Sequence, residues 1–385
     1  MDIPLRPEVL RWARERAALD VDTVARKIGT SPARVRSWEA DGSIRPKQAE
    51  KLARATHTPL GLLYLPEPPV ETLPVPDFRT LRDEDVRTPS PDLLDVIDQA
   101  RQRQDWFRDY LVSSGEEPLD WIGALTTDMP VRAATERVRQ AMGFDTELRR
   151  SAGTLDEALR VQISLIEEHG LMVMRNGVVG SDTHRPLSAD EFRGFALSDV
   201  YAPLIFINST DTKGAQMFTL AHELIHVWVG VSGVSNLDKT YPPDRAIERF
   251  CNEVAAELLV PSEELRAAWQ DVRAKDDPVG ALTRRFKVSK IVILRRLRDL
   301  EIISIDAFLR QYREQQEVFE QQQKERAPGG DFYNTQRSRT GQRFARALVE
   351  SALEGRTPYR DALRLLGMSN VETFNKFARQ LRFSV

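Results

Sequence analysis

The 385-residue chain carries 55 Lys and Arg against 58 Asp and Glu, a formal charge of −3, with 41% hydrophobic and 29% charged residues. That balance is ordinary for a globular protein of two or more domains and excludes a uniform basic coat for nucleic acid or membrane. Cys251 is the only cysteine, which excludes an internal disulfide framework and a Cys-rich zinc module. The N-terminus lacks an apolar signal core and no run nears the ~20 apolar residues that span a bilayer, so a cytoplasmic location without a membrane partner is expected.

Residues 7–18, 22–28, 31–40 and 46–56 read as short amphipathic helices broken by turns. Gly29 stops the second helix, Thr30 or Ser31 caps the third, and Val24, Ala25, Ile28, Val35, Trp38 and Leu52 form a small shared core. This is a helix-turn-helix pattern. Val24-Ala25-Arg26-Lys27-Ile28-Gly29, followed by Val35, Trp38-Glu39 and Gly42, resembles the repressor-like family called Xre. In that family the helix starting near Pro32 enters the major groove, so the resemblance implies operator DNA as a partner and Ala33, Arg34, Arg36 and Ser37 as the residues aimed at it. Val21, Pro32 and Ala33 stand where members usually carry glutamine or another polar residue. Residues 1–65 hold twelve Lys and Arg and eight Asp and Glu, a net of +4. A protein-docking module is the alternative, since fold alone does not set function.

Residues 60–78 are rich in proline, which rules out regular helix after Leu65 and makes a semi-rigid spacer. Residues 92–112 and 131–142 follow as helices without chemistry on their faces; Trp106 and Trp121 read as core.

At 215–230 the spacing carries chemistry. His222 and His226 lie one helical turn apart on one face, as two ligands of a tetrahedral zinc ion must. Glu223 between them is placed to take a proton from a water that the metal activates. Phe218, Ala221, Ile225 and Val229 surround the histidines, and Leu220, Leu224 and Val227 make the other side apolar, so the helix is buried all round. Upstream, Thr154 caps a helix to about His169, and residues 171–175, 192–198 and 204–208 read as strands. Downstream, residues 247–260 form a helix stopped by Pro261. Its buried arc is Ile247, Phe250, Cys251, Val254 and Leu258; Glu253 points away, and Glu248 and Glu257 lie on opposite flanks. Cys251 reads as a neutral buried thiol. The order of helix, sheet, metal helix and further helix is that of zincin peptidases, in which an edge strand holds the peptide as an added strand. Residues 204–208 are the expected edge.

Phe218-Thr219-Leu220-Ala221-His222-Glu223-Leu224-Ile225-His226, followed by Glu248, Asn252 and Ala255-Ala256-Glu257-Leu258-Leu259-Val260-Pro261, resembles the ImmA/IrrE metallopeptidase family. The resemblance implies zinc held by His222, His226 and Glu248, with Glu223 as catalytic base and Asn252, one turn on, orienting Glu248. Glu257 is the fallback ligand. Tyr241 and His184 are the nearby residue types suited to stabilising an oxyanion.

Residues 279–288, Ser289 and 290–300 repeat the helix-turn-helix rhythm around Leu282, Phe286, Val288, Ile293 and Leu297. Arg284, Arg285, Lys287, Lys290, Arg295, Arg296 and Arg298 make this segment basic, which fits a solvated face as well as a nucleic-acid surface. Residues 306–327 form a Gln- and Glu-rich helix ended by Pro328-Gly329-Gly330. Residues 335–354, 358–366 and 371–381 read as three more amphipathic helices, expected to pack on the peptidase core or pair with another chain.

The expected architecture is mainly α with a small β-sheet: a helix-turn-helix domain (1–66), a linker and helical region (67–150), a zincin-like domain (151–272) and a helical C-terminal region (273–385). The expected function is DNA-binding regulation joined to zinc-dependent cleavage of a protein or peptide partner of repressor or toxin–antitoxin type. The alternative is a regulator whose zincin domain binds its partner without cutting. A homodimer is among the expected partners, because many repressor-like domains act as dimers.

Overall fold

The computed structural model describes residues 3–73, 77–78, 89–144, 151–235, 246–324 and 332–383, in two compact units: Met1–Pro74 with Arg82–Asp98, and Val75–Leu81 with Gln99–Val385. The architecture is mainly α with a small mixed sheet, as expected.

The first unit contains β1 (Ile3–Pro4), α1 (Pro7–Arg16), α2 (Val21–Ile28), α3 (Pro32–Asp41), β2 (Ser43–Ile44) and α4 (Pro46–Ala55). Local chemistry sets its helix ends. Asp20 Oδ1 accepts the Thr23 N–H at 2.6 Å, Gly29 ends α2 in the left-handed conformation with φ 70°, and Ser31 Oγ accepts the Arg34 N–H at 3.3 Å. Val24, Ala25, Ile28, Val35, Trp38 and Leu52 are all buried in one core with Val9, Leu10 and Leu63. Buried Glu39 on α3 receives Arg14 of α1 through two hydrogen bonds, at 2.6 and 3.1 Å, which fixes the crossing of the two helices.

In the second unit the sheet lies beside the helix that carries His222 and His226. Its strands are β3 (Asp77–Phe78), β4 (Met172–Asn176), β7 (Gly194–Leu197), β8 (Leu204–Asn208) and β9 (Gly233–Ser235), in the order β3-β9-β7-β8-β4. A separate hairpin of β5 (Val178–Val179) and β6 (Asp182–Pro186) follows β4. The expectation that residues 204–208 form a free edge is overturned. β8 pairs in parallel with β4 and antiparallel with β7, and all five of its residues are buried. An unbroken apolar run marks a strand covered on both faces, which belongs inside a sheet.

The helices of this unit are α5 (Pro91–Ser113, of which residues 99–113 belong here), α6 (Val131–Met142), α7 (Leu155–Glu168), α8 (Lys213–Val229), α9 (Ala246–Leu259) and α10 (Ser262–Val272). They continue as α11 (Pro278–Phe286), α12 (Lys290–Asp299), α13 (Ile305–Lys324), α14 (Phe332–Thr340), α15 (Gln342–Leu353), α16 (Tyr359–Leu366) and α17 (Val371–Gln380). Thr154 and Glu157 form a full capping box at the start of α7. The helix α10, which the periodicity did not single out, begins directly after Pro261.

The single helix expected over 335–354 is two helices. Gly341 breaks it with φ +78°, and a Cβ there would lie 3.0 Å from the Val173 carbonyl oxygen. Only glycine allows this close crossing over β4. Glu167 of α7 then caps the new helix, its Oε1 accepting the Gln342 N–H at 2.9 Å. On the same edge, Ser338 Oγ donates to the Arg175 carbonyl at 3.1 Å, so α14 covers β4.

Candidate metal centre

The metal helix α8 starts at Thr212, whose Oγ1 accepts the Ala215 N–H at 3.1 Å, and ends at Gly230 with φ 79°. Every residue from Gln216 to Trp228 is buried. Two apolar cores meet on it: Met217, Leu220, Leu224 and Ile225 face one, while Phe218 and Ala221 face the other. Burial all round, read from the sequence, is thus met by packing against two cores on adjoining arcs of one helix. The sheet lies close against it at Gly194 of β7, where an added Cβ would lie 2.6 Å from Thr219 Cγ2 and 3.3 Å from Glu223 Oε1. Gly194 escaped the sequence reading, although a glycine within a strand pattern is a signal of close backbone approach.

His222, His226 and Glu248 converge, with their ligand atoms all within 4.8 Å of one another. The two Nε2 atoms are 3.0 Å apart, and Glu248 lies 3.3 Å from His222 Nε2 and 2.8 Å from His226 Nε2. Glu248 stands in the first turn of α9, which packs along α8. Burial acts to raise its carboxyl, but the His222 charge and the hydrogen bonds from His222 and His226 outweigh that and hold it well below the usual carboxylate range. Two imidazole nitrogens and a carboxylate facing one point inside a core form the donor set that catalytic zinc takes, and the residues fit such an ion. The fully buried Glu223 follows His222 on the same helix, with its carboxylate against β7 at Gly194.

The flank ambiguity between the two glutamates disappears in three dimensions. Glu257 lies away from the cluster: its Oε1 accepts the Ser262 N–H at 3.0 Å at the start of α10, and it pairs with Arg296. Cys251 is buried, and burial, followed by the Glu248 and Glu223 charges, pushes its thiol up, so it stays protonated. Asn252 Oδ1 is buried without a hydrogen-bond partner among the described residues. His184 sits exposed on β6, with its N–H donated to Asp182 Oδ1 at 2.9 Å. Tyr241 lies outside the described residues.

In the first unit, Ala33, Arg34, Arg36 and Ser37 are all exposed and share the outer arc of α3, opposite buried Val35, Trp38 and Glu39. The basic segment after α10 behaves differently. Arg296 is buried and donates to the Val260 carbonyl at 3.0 Å, Arg298 lies over the Phe308 ring at 4.9 Å, and Arg285 pairs with Asp271 at 3.5 Å. With Leu282, Phe286, Val288 and Ile293 in the core that holds Phe218 and Ala221, α11 and α12 buttress the metal helix.

Comparison with protein families places residues 166–298 in the peptidase family M78 model described as IrrE N-terminal-like domain, and residues 10–63 in a helix-turn-helix model. Residues 166–298 are an IrrE-type peptidase domain that follows a helix-turn-helix domain. The matched IrrE-type region takes in α8, Glu248 and the buttressing pair α11–α12. Residues 340–380 match a domain of unknown function (DUF8813). No curated protein matched. Among the described residues, no helix is long and apolar enough to cross a membrane.

Proposed function

We propose that this chain is a DNA-binding regulator whose second part is a zinc-dependent endopeptidase acting on a partner protein of repressor or antitoxin type. The observation that carries the reading is the buried convergence of His222, His226 and Glu248 with Glu223 next to His222 on the same helix.

His222, His226 and Glu248 would hold the ion. Zinc bound there supplies a Lewis acid that lowers the pKa of water and polarises a carbonyl. Glu223 takes the proton of the attacking water and returns it to the leaving amine, the general acid–base part of peptide hydrolysis. The surrounding apolar cores hold both imidazoles and the carboxylate in place, so little reorganisation accompanies the reaction. A substrate strand is expected at the β3–β9 end of the sheet, because α14 covers β4 at the other.

DNA recognition belongs to α3, with Ala33, Arg34, Arg36 and Ser37 as its outward residues. The experiment combines elemental analysis of the purified chain with a cleavage assay on products of neighbouring genes. One zinc per chain and cleavage that stops in Glu223→Gln support the proposal. Unchanged cleavage in that variant overturns the enzymatic part and leaves a regulator that binds without cutting.

A further inference from the structure

The helix lengths and caps of α2–α3 recur at the far end of the chain, with a four-residue turn in place of three. There, α16 has eight residues and ends at Gly367 with φ 67°, Asn370 Oδ1 accepts the Thr373 N–H at 2.8 Å, and α17 has ten residues. In the first unit α2 has eight residues, Gly29 has φ 70°, Ser31 caps, and α3 has ten. The burial register agrees as well. Val35, Trp38 and Glu39 are the buried positions four, seven and eight of α3, and Phe374, Phe377 and Ala378 are the same positions of α17. In both helices the opposite arc faces solvent, and in α17 it carries Glu372, Lys376, Arg379 and Gln380.

The pair α11–α12 shows what a helix-turn-helix looks like when it is used for packing. It has the same outline, with Lys287 at φ 51° and Ser289 as cap, but Val292 and Leu294 are buried besides Ile293, Arg296 and Leu297. Its outer positions Ile291, Arg295 and Arg298 are half-buried, which leaves no free face for a groove.

Net charge does not set α11–α12 apart, since residues 278–299 hold seven Lys and Arg and one Asp, but Arg296 and Arg298 there are drawn into packing. Tyr359–Gln380 contains four Lys and Arg and two Asp and Glu, a net of +2, within a stretch, residues 332–383, of net +6, against +4 for residues 1–65. The remainder holds 33 basic and 46 acidic residues, a net of −13, so both ends are basic against a remainder that is itself basic only locally, as at α11–α12. Such segregation is the footprint of a polyanion surface. The exposed positions also suit duplex DNA in kind. Lys376 and Arg379 point outward as phosphate partners, and exposed Arg360 and Tyr359 stand in the first turn of α16, where this motif meets the backbone. Val371, 45% exposed at the first position of α17, offers an apolar contact of the kind a thymine methyl takes. The Lys376–Glu372 ion pair at 2.7 Å is solvent-exposed and opens at little cost.

We propose that Tyr359–Gln380 is a second DNA-binding helix-turn-helix, with α17 as the helix that enters the major groove. It does not depend on DNA binding by α3 or on peptidase activity.

The test is equilibrium binding of the full chain to fluorescent duplex DNA across a salt series, for the natural sequence, Lys376→Ala/Arg379→Ala, and Arg34→Ala/Arg36→Ala. All four residues are exposed, and circular dichroism with thermal melting checks that each variant is folded. The Lys376→Ala/Arg379→Ala chain is expected to bind roughly tenfold or more weakly near 0.1 M salt, with a slope of log affinity against log salt shallower by about two. Natural affinity and slope in that variant overturn the proposal, whatever the α3 variant does. Loss confined to Arg34→Ala/Arg36→Ala overturns it equally, while leaving the α3 reading intact.

Discussion

Replacing Glu223 with Gln keeps the shape of a fully buried side chain and removes its basicity. A drop in peptide cleavage of roughly 10²–10⁴-fold with unchanged zinc content is therefore expected, measured by product formation and elemental analysis. Glu248→Ala removes one of three converging ligands and is expected to lower zinc content sharply, whereas Glu257→Ala leaves it intact, because Glu257 serves Ser262 and Arg296. Full zinc in Glu248→Ala with loss in Glu257→Ala would reverse that assignment. Periodicity shows why the two glutamates were hard to separate from the chain alone: both flank the same buried arc of α9. Only the crossing of α9 with α8 selects the flank that meets the histidines.

Helix ends were legible where they depend on neighbours in sequence, as at Ser31 and Thr154, because a cap is made within three residues of the backbone it serves. The break at Gly341 was not, since its cause is the carbonyl of Val173 on a distant strand. Gly341→Ala is expected to destabilise by about 1–3 kcal/mol, through the left-handed φ and the clash with that oxygen, as read in denaturant unfolding. Glu167 beneath the start of α15 adds a pH dependence. Burial, against the pull of the Arg343, Gln342 and Val173 amides, pushes its carboxyl up to about 7 from an ordinary 4.5. The folded chain thus holds a proton that the unfolded chain releases between those values. This share of stability, on the order of 3 kcal/mol, is fully present below the lower pKa and is lost as pH rises through about 7. Glu167→Gln, which is neutral throughout, should flatten the fall in melting temperature between pH 4.5 and 7. An equally steep fall in the variant would show that another group titrates there.

Across the whole molecule, burial divides the labour among three helix-turn-helix outlines: α3 and α17 turn polar arcs outward, and α12 turns its arc into the peptidase core. DNA affinity through α3 is expected to fall with rising salt and to weaken in Arg34→Ala/Arg36→Ala, with a shallower salt slope, in the same titration that tests α17. The sequence by itself determined the helix-rich composition, the first helix-turn-helix and its core, and the all-apolar surroundings of His222, Glu223 and His226, because these are written in short-range periodicity and caps. Only the tertiary structure decided that β8 is an inner strand, that Glu248 and not Glu257 meets the histidines, and that the basic segment at α11–α12 is a buttress while α17 stays open. Each of those depends on contacts between residues far apart in the chain, and local spacing is blind to which face of an element its distant neighbour will cover.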